Sequence, residues 1–164
     1  MYLEGNCNAS ETDRQKIKMI MGAENALIFY ISRAHLIKKS VQVCYDHNMP
    51  MRAIKTPLLW RSNLELDKKG IKVRFLTDIR NENLEYCKRI LQEIKHVEIR
   101  HMEGVKGNFT IHDDKEMFLP IFVVRPGELL NEMIYVPQKA IVDAYVFMFC
   151  FCTIRKIVKT LSLS

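Results

Sequence analysis

Between residues 24 and 101, segments with helical periodicity alternate with short β-branched segments, and this order constrains the fold more than any other feature. The clearest strand, at 71–77, has Ile71, Val73 and Phe75 on one side and charged residues on the other. Parallel strands require crossover connections, which are usually helices, so the alternation predicts a parallel sheet covered by helices. The predicted helices span 22–39, 58–69 and 81–94, and the predicted strands span 41–46, 71–77 and 97–101.

Beyond His101 the pattern is typical of antiparallel strands. Two runs, NFTIHD and EMFLPIFVV, flank a turn at Asp114 and Lys115 and predict a β-hairpin. Pro120 lies inside the second run, which favours an edge strand or a bulge. The remaining predicted elements are a turn at 125–128, a strand at 133–136 and a C-terminal helix with Pro137 in its first turn. The sequence therefore predicts a single α/β domain with a mixed, mostly parallel sheet flanked by helices.

Composition and charge pattern divide the chain into three segments. Residues 1–20 are polar and are predicted to form a flexible N-terminal arm, and residues 21–143 form the α/β domain. Residues 144–164 are predicted to form an apolar C-terminal helix for dimerisation or signal output. Its apolar stretch, 144–154, has about half the length needed to cross a bilayer, so we expect a buried or interface helix and no membrane span.

The composition is that of a globular protein with a modest excess of basic charge. The hydrophobic fraction of 48% excludes disorder as the main state. The formal net charge is +6, but the lysines are scattered along the chain, so nucleic acid is an alternative partner and not the favoured one. Five cysteines at irregular spacings suggest no disulfide framework, which predicts a cytoplasmic location.

The sequence contains no motif for nucleotide binding or nucleophilic catalysis. Neither GxxxxGK[ST] nor GxGxxG occurs after a strand, and no serine or cysteine lies in an elbow motif. His101 and His112 are placed to face one another if their strands are neighbours. His112, Asp113 and Asp114 offer metal-ligand chemistry, but no second cluster has ligand spacing. We therefore predict no catalytic residue, no metal and no cofactor.

Polar residues end two of the predicted strands. Asp46 follows the first strand, and Thr77 and Asp78 end the second. In open α/β sheets ligands bind outside the carboxyl ends of parallel strands, so these residues mark a candidate cleft, although Asp46 equally suits a cap. The loop from Gly104 to Asn108 can present backbone N–H groups to an anion, and a plain turn is its other interpretation.

The stretch GIKVRFLTDIRNENLEYCKRIL, followed by VEIRHMEGVKGNFTIHDDKEMFL, resembles a sensory module found ahead of histidine kinases in archaea, notably ammonia oxidisers. The matching segments are Gly70–Ile79, Glu82–Leu91 and Arg100–Phe109, and the resemblance covers most of residues 20–143. It implies one half of a phospholipase D-like fold, which the effector-binding part of TrmB-like regulators also uses.

Active phospholipase D-like proteins carry the motif HxKxxxxD, and this chain lacks it. Counting back from Asp113 or Asp114, the histidine position is held by Lys106 or Gly107. The lysine position is held by Asn108 or Phe109. Loss of both the nucleophile and the phosphate-binding lysine predicts that the chain is not an enzyme.

These residues and the resemblance predict a non-catalytic, ligand-sensing input domain of a histidine-kinase-type signalling protein. An unknown small anionic ligand binds Lys106, the N–H groups of Gly107 and Asn108, and Arg100. Binding shifts the C-terminal helix, which acts on a homodimer partner, a kinase output domain or a separate signalling protein. The candidate ligand-binding residues are Asp46, Thr77, Asp78, Arg100, His101, Lys106, Gly107 and Asn108.

Two other functions are compatible with the sequence. One is a nucleic-acid-binding accessory domain, which the net charge and the phosphodiester chemistry of phospholipase D-like proteins favour. The other is a dimerisation scaffold with a vestigial cleft. Beyond Asp143 the chain departs from the sensory family, which continues with a polar helix and a kinase core. A truncated relative, an isolated input domain and a stand-alone sensor are all compatible with this departure.

Overall fold

The computed structural model describes residues 16–105, 107–121 and 132–154. Most of the predicted arm, the predicted turn at 125–128 and Lys106 lie outside these ranges. The strands are β1 (Lys18–Met21), β2 (Ser40–Tyr45), β3 (Lys72–Thr77), β4 (Val97–His101), β5 (Phe109–His112), β6 (Glu116–Ile121) and β7 (Glu132–Val136). The helices are α1 (Ala23–Ala34), α2 (Met49–Lys55), α3 (Pro57–Lys68), α4 (Leu84–Glu93) and α5 (Lys139–Ile154).

The described strands form one seven-stranded sheet in the order β1-β7-β6-β5-β2-β3-β4. Strands β2, β3 and β4 are parallel and are linked by helical crossovers, as the alternating pattern predicts. The other four pairings are antiparallel. The predicted mixed sheet in a single α/β domain is therefore confirmed, but the prediction that it is mostly parallel is wrong. The C-terminal half and β1 contribute antiparallel strands that outnumber the parallel ones.

The turn between β5 and β6 fastens the hairpin to the start of β2. Asp113 and Asp114 both have positive φ, 53° and 56°, as the two central residues of a type I′ turn require, and the Lys115 N–H closes this turn on the His112 carbonyl at 2.9 Å. The Asp113 carboxylate accepts hydrogen bonds from the backbone N–H groups of Lys38 at 2.9 Å and Lys39 at 2.7 Å. These bonds fix Lys38 and Lys39 against the hairpin turn, and α1 ends at Ala34 and not at 39 as predicted.

Helices cover the two faces of the sheet unequally. Helices α1 to α4 pack on one face, where Val41, Val43, Val73 and Phe75 form the core with Leu66 of α3. Helix α5 packs on the other face through its buried residues Val142 and Phe149. No helix among the described residues is long and apolar enough to cross a membrane.

Three predicted boundaries differ from the structure. Lys18–Met21 form strand β1, paired with β7, so the predicted arm ends too late. Helix α5 begins at Lys139, two residues after Pro137, and the predicted division after residue 143 falls inside it.

Pro120 was predicted to lie on an edge strand or at a bulge, but it lies on β6, which is an internal strand. Strand β5 pairs only with residues 116–118 of β6, so the missing N–H of Pro120 breaks no hydrogen bond to β5.

Candidate functional site

The register of the parallel strands brings their polar ends together. Tyr45 of β2 pairs with Thr77 of β3, and Thr77 pairs with His101 of β4, so the three strands end at the same level. The site that forms there, the strand-end network, contains Asp46, Thr77, Asp78, His101 and Asn108. Five of the eight predicted site residues therefore meet at one end of the sheet.

Hydrogen bonds to the backbone fix one half of the strand-end network. The Thr77 hydroxyl donates to the Asp46 carbonyl oxygen at 2.9 Å, and the Asp46 N–H donates to Asn108 Oδ1 at 3.0 Å. The Asp46 carboxylate accepts the N–H of Asn48 at 2.9 Å, which is a turn or cap contact. These side chains hold the ends of β2, β3 and β5 in place.

Asp78 is the anionic centre of the strand-end network. It is 5% exposed and accepts hydrogen bonds from Arg80 Nε at 3.0 Å and from the Gly104 N–H at 3.2 Å. Burial alone would raise the pKa of Asp78, but the bonds from Arg80 and Gly104 outweigh it and lower the pKa. Asp78 is therefore a stable carboxylate that anchors the loop after β4, and it repels a second anion.

His101 is oriented by the backbone. Its Nδ1 accepts the Ile79 N–H at 2.9 Å, so the proton of the neutral ring is on Nε2. His112 is at the other end of the sheet, since it pairs with Val41 at the start of β2. Strands β2 and β3 separate β4 from β5. The prediction that the two histidines face one another is therefore wrong.

Three predicted residues do not join the strand-end network. Adjacent residues of a strand point to opposite faces, so Arg100 and His101 diverge, and Arg100 contacts Glu98 of its own strand at 2.5 Å. Gly107 is exposed beside Phe109. Lys106 lies outside the described residues. A single cleft that contains the side chains of both Arg100 and His101, as the list of candidate residues implies, is thus inconsistent with the sheet.

A cavity that the sequence did not reveal lies beside the strand-end network. It has a volume of about 250 Å³ and lies between α1, α2, α3 and the ends of β2, β6 and β7. Its lining consists of Ala23, Leu27, Tyr30, Tyr45, Met49, Arg52, Thr56, Leu59, Pro120 and Met133. We call it the apolar cavity. Sequence reasoning missed it because α2, with only seven residues, shows no clear helical period.

Arg52 connects the apolar cavity to the strand-end network. Its side chain is 20% exposed, and its Nη1 lies 3.8 Å from Asp46 Oδ2. Arg52 is the charged residue of the cavity lining. Burial raises the pKa of Tyr30, another lining residue, to about 12, so the Tyr30 hydroxyl stays neutral near neutral pH. An apolar enclosure with one guanidinium suits a small molecule that carries a single anionic group.

The two buried cysteines, Cys44 and Cys87, are not activated thiols. Burial raises the pKa of Cys44 to about 12 and that of Cys87 to about 11, so both are protonated near neutral pH. The described residues also contain no group of three or more histidines, cysteines and carboxylates placed to hold a metal ion.

A second polar cluster is buried at the amino ends of the parallel strands. Glu116 accepts hydrogen bonds from Arg33 Nε at 3.0 Å and from the Tyr135 hydroxyl at 2.8 Å. His112 Nδ1 lies 3.4 Å from Glu116 Oε1, a long contact. Burial alone would raise the pKa of Glu116, but the contacts with His112, Arg33 and Tyr135 outweigh it and hold the pKa at about 2. The cluster joins α1 to the sheet.

No family model and no curated protein matches the chain, but solved structures do. NucT from Helicobacter pylori is similar at TM-score 0.67 and 14% identity, over 87% of this chain and 98% of that one. Nuc from Salmonella typhimurium, a phospholipase D family member, is similar at TM-score 0.67 and 11% identity, over 87% and 97%.

A third similar structure comes from a larger protein. TrmBL2, an archaeal chromatin protein with a novel mode of DNA binding, is similar at TM-score 0.59 and 14% identity over 86% of this chain. The chain spans 53% of the length of TrmBL2. The three likenesses show a phospholipase D-like fold, which confirms that part of the sequence prediction. The likeness to histidine-kinase input modules stays a prediction.

Proposed function

We propose that this domain is a non-catalytic sensor that binds a small, largely apolar anion in the apolar cavity. In this proposal it is the input domain of a histidine-kinase-type signalling protein, as the sequence resemblance implies. The observation that carries the proposal is the position of Arg52, which lines the cavity and contacts Asp46 of the strand-end network. The ligand's anionic group binds Arg52, in place of Arg100 as the sequence suggested.

The chemistry around the cavity supports binding without catalysis. At the positions of the HxKxxxxD histidine and lysine, the chain has Lys106 and Asn108 when it is aligned on Asp113. The amide oxygen of Asn108 is bonded to the Asp46 N–H, so it positions the backbone. Asp78 stays ionised and is bonded to Arg80, which makes it a poor general base or acid near neutral pH.

Contacts lead from the cavity to α5. Arg52 contacts Asp46, whose N–H is bonded to Asn108 and whose carbonyl is bonded to Thr77. The Thr77 carbonyl in turn accepts the N–H of Met102 at 2.9 Å. Met102 packs against the core cluster that contains Phe149 of α5. A ligand that moves Arg52 would therefore act on α5 through the loop after β4.

Thermal unfolding against a panel of small molecules tests the ligand proposal. The panel contains aliphatic and aromatic carboxylates, the matching neutral amides, nucleotides, metal ions and short oligonucleotides. A carboxylate at about one hundred times its Kd should add about 2.7 kcal/mol of stability, which raises Tm by roughly 5–10 °C. The matching amide should have a smaller effect, because it lacks the charge that Arg52 recognises.

Two variants locate the binding site. Arg52→Leu should abolish the shift caused by the carboxylate, and Leu27→Trp should abolish it by filling the cavity. Arg61→Leu, which removes an exposed arginine from α3, is the matched control and should keep the shift. If Arg52→Leu and Arg61→Leu respond alike, the ligand binds elsewhere. If only oligonucleotides raise Tm, the domain is a nucleic-acid-binding module and not a small-molecule sensor.

The outer side of α5 supports the proposed homodimer. Ile141, Phe147, Met148 and Phe151 are 38%, 72%, 42% and 44% exposed and recur at helical spacing. The Phe147 and Phe151 rings stack with their centroids 6.3 Å apart. A continuous apolar stripe of this kind on a protein surface usually marks an interaction site, and a second copy would cover it with the same stripe.

Light scattering after gel filtration tests the dimer. Phe147→Ser should convert the protein to monomers at micromolar concentration, because it places a hydroxyl in the centre of the stripe. Leu36→Ser removes another exposed apolar side chain, outside the stripe, and should leave the dimer intact. A wild-type monomer at high concentration would contradict the proposal. When a ligand is known, the dimer Kd measured with and without it reports whether the signal reaches α5.

A further inference from the structure

The loops at the amino ends of the parallel strands carry lysines that are far apart in sequence but close together in the fold. Six of them are exposed, and we call this surface the basic end: Lys38, Lys39, Lys69, Lys72, Lys95 and Lys115. It lies at the opposite end of the sheet from the strand-end network, so it is a different surface from the proposed ligand site.

Hydrogen bonds between the loops define the basic end as one surface. Asp113, in the same turn as Lys115, accepts the backbone N–H groups of Lys38 and Lys39. The ammonium group of Lys69 donates to the His35 carbonyl at 3.3 Å, which joins the end of α3 to the end of α1. Backbone pairing of Val73 with the His96 carbonyl at 2.9 Å places Lys95 beside Lys72.

The carboxylates of this region bind other groups and do not pair with these lysines. Asp113 binds backbone N–H groups, and Asp114 accepts from Gln42 Nε2 at 2.7 Å. Asp67 accepts the His96 N–H at 2.7 Å. Within the described part of the chain, no carboxylate lies at ion-pair distance from any of the six ammonium groups. The six ammonium groups are therefore exposed and outside direct ion pairs, while Lys115 and Lys69 still attract the nearby carboxylates of Asp113 and Glu65.

A cavity opens within the basic end. Its volume is about 200 Å³, and its lining includes Arg33, Lys38 and Lys115. The two carboxylates that also line it, Asp113 and Glu116, accept hydrogen bonds from the backbone and from Arg33. Arg33 is held by Glu116, so the exposed ammonium groups of Lys38 and Lys115 are the cations that can contact a phosphate at the mouth of this cavity.

We propose that the basic end docks the phosphate backbone of double-stranded nucleic acid without reading its sequence. From β5 to β4 the surface crosses three strand spacings, or about 14 Å. A duplex strand carries one phosphate per roughly 3.4 Å of axis, so three or four phosphates lie within this width. Lysines supply point charges that suit phosphates, and contacts with phosphates carry no direct sequence information.

The distribution of apolar side chains distinguishes nucleic acid from a lipid surface. On the described loops that carry the six lysines, Leu36 is the one large apolar side chain that is exposed. Peripheral membrane binding needs apolar side chains that enter the lipid in addition to basic charge. The exposed apolar residues are concentrated instead on α5 and β1, as with Phe147 and Met19.

Fluorescence anisotropy of a labelled duplex of roughly 20 base pairs, measured as a function of NaCl, tests this proposal. Three phosphate contacts give a slope of log K against log salt of about −2.7, so Kd should rise about 40-fold between roughly 50 and 200 mM NaCl. Duplexes of unrelated sequence should bind equally. A flat salt dependence would overturn the proposal, and so would binding to anionic vesicles in preference to the duplex.

Two triple variants with the same change in net charge locate the surface. Lys39→Glu/Lys72→Glu/Lys95→Glu should weaken duplex binding by more than tenfold at low salt and remove most of the salt slope. Lys55→Glu/Arg61→Glu/Lys88→Glu reverses three charges on the helices and should change Kd less than about threefold. Thermal unfolding of both variants shows that they are folded. Equal losses of duplex affinity in the two variants would mean that only the net charge of the protein matters, which contradicts a defined docking surface.

Discussion

Replacing Glu116 with alanine is expected to destabilise the domain by about 3–5 kcal/mol, measured by urea unfolding followed by circular dichroism. Glu116 is 7% exposed and holds the guanidinium of Arg33 through two nitrogens, with Nε at 3.0 Å. It also accepts the hydroxyl of Tyr135 at 2.8 Å. The substitution leaves a partly buried cation and a buried hydroxyl without their acceptor, which costs more than the pair itself contributes.

Glu65→Ala is the matched control. Glu65 pairs with Lys68 at 2.7 Å on the exposed side of α3, and such solvent-exposed pairs contribute little to stability. Glu116→Gln keeps an acceptor oxygen without the charge, so its loss of unfolding free energy should lie between those of Glu116→Ala and Glu65→Ala. If Glu116→Ala costs no more than Glu65→Ala, the buried cluster does not join α1 to the sheet in solution.

The same two Glu116 variants show how the cluster depends on pH. The pKa of Glu116 is held at about 2, below its usual 4.5, so its contribution is complete above about pH 4.5 and is lost as pH falls towards 2. This contribution amounts to about 3 kcal/mol. Burial also lowers the pKa of His112, so protonation of the unfolded chain below about pH 6.5 acts in the same direction. Acid should therefore destabilise the wild type more than Glu116→Gln.

The parallel half of the fold could be predicted because its signals are local. Alternating side chains define β3, and helical stripes define α3 and α4, so the strand ends that hold Asp46, Thr77 and Asp78 follow from counting residues. The same alternation also places Arg100 and His101 on opposite faces of the sheet, but the predicted ligand site included both residues. In that case the sequence contained the information and the interpretation was wrong.

Other features depend on contacts that no local pattern contains. The segment before β2 is fixed by Asp113, a residue more than seventy positions away, through its bonds to Lys38 and Lys39. The basic end gathers lysines from separate loops, so their scatter along the chain hides a common surface. The apolar cavity depends on α2, whose residues suggest no helix by periodicity. Each of these features follows from tertiary packing.

Helix α5 shows how hydropathy alone can mislead. Its apolar residues suggested a segment separate from the domain, starting at 144. In the structure Phe149 is 1% exposed and packs in one cluster with Leu76, Phe109 and Ile111, and the guanidinium of Arg74 lies 5.9 Å from its ring centre. Within the described residues α5 is the helix that covers this face of the sheet, so it is part of the core.

Phe149→Ala is therefore expected to cost about 3–5 kcal/mol, because it removes a fully buried aromatic ring and leaves a cavity between α5 and the sheet. Phe147→Ala is the matched control on the same helix: Phe147 is 72% exposed, and the change should stay within about 0.5 kcal/mol for the monomer. Urea unfolding at a protein concentration below the dimer Kd measures both. Equal, small effects would mean that α5 is not packed on the sheet in solution, and ligand binding could then not reach it through Met102 and Phe149. A large loss of stability for Phe149→Ala alone places α5 in the core. A change in the strand-end network can then move α5 and alter the outer side of this helix, which we propose forms the dimer.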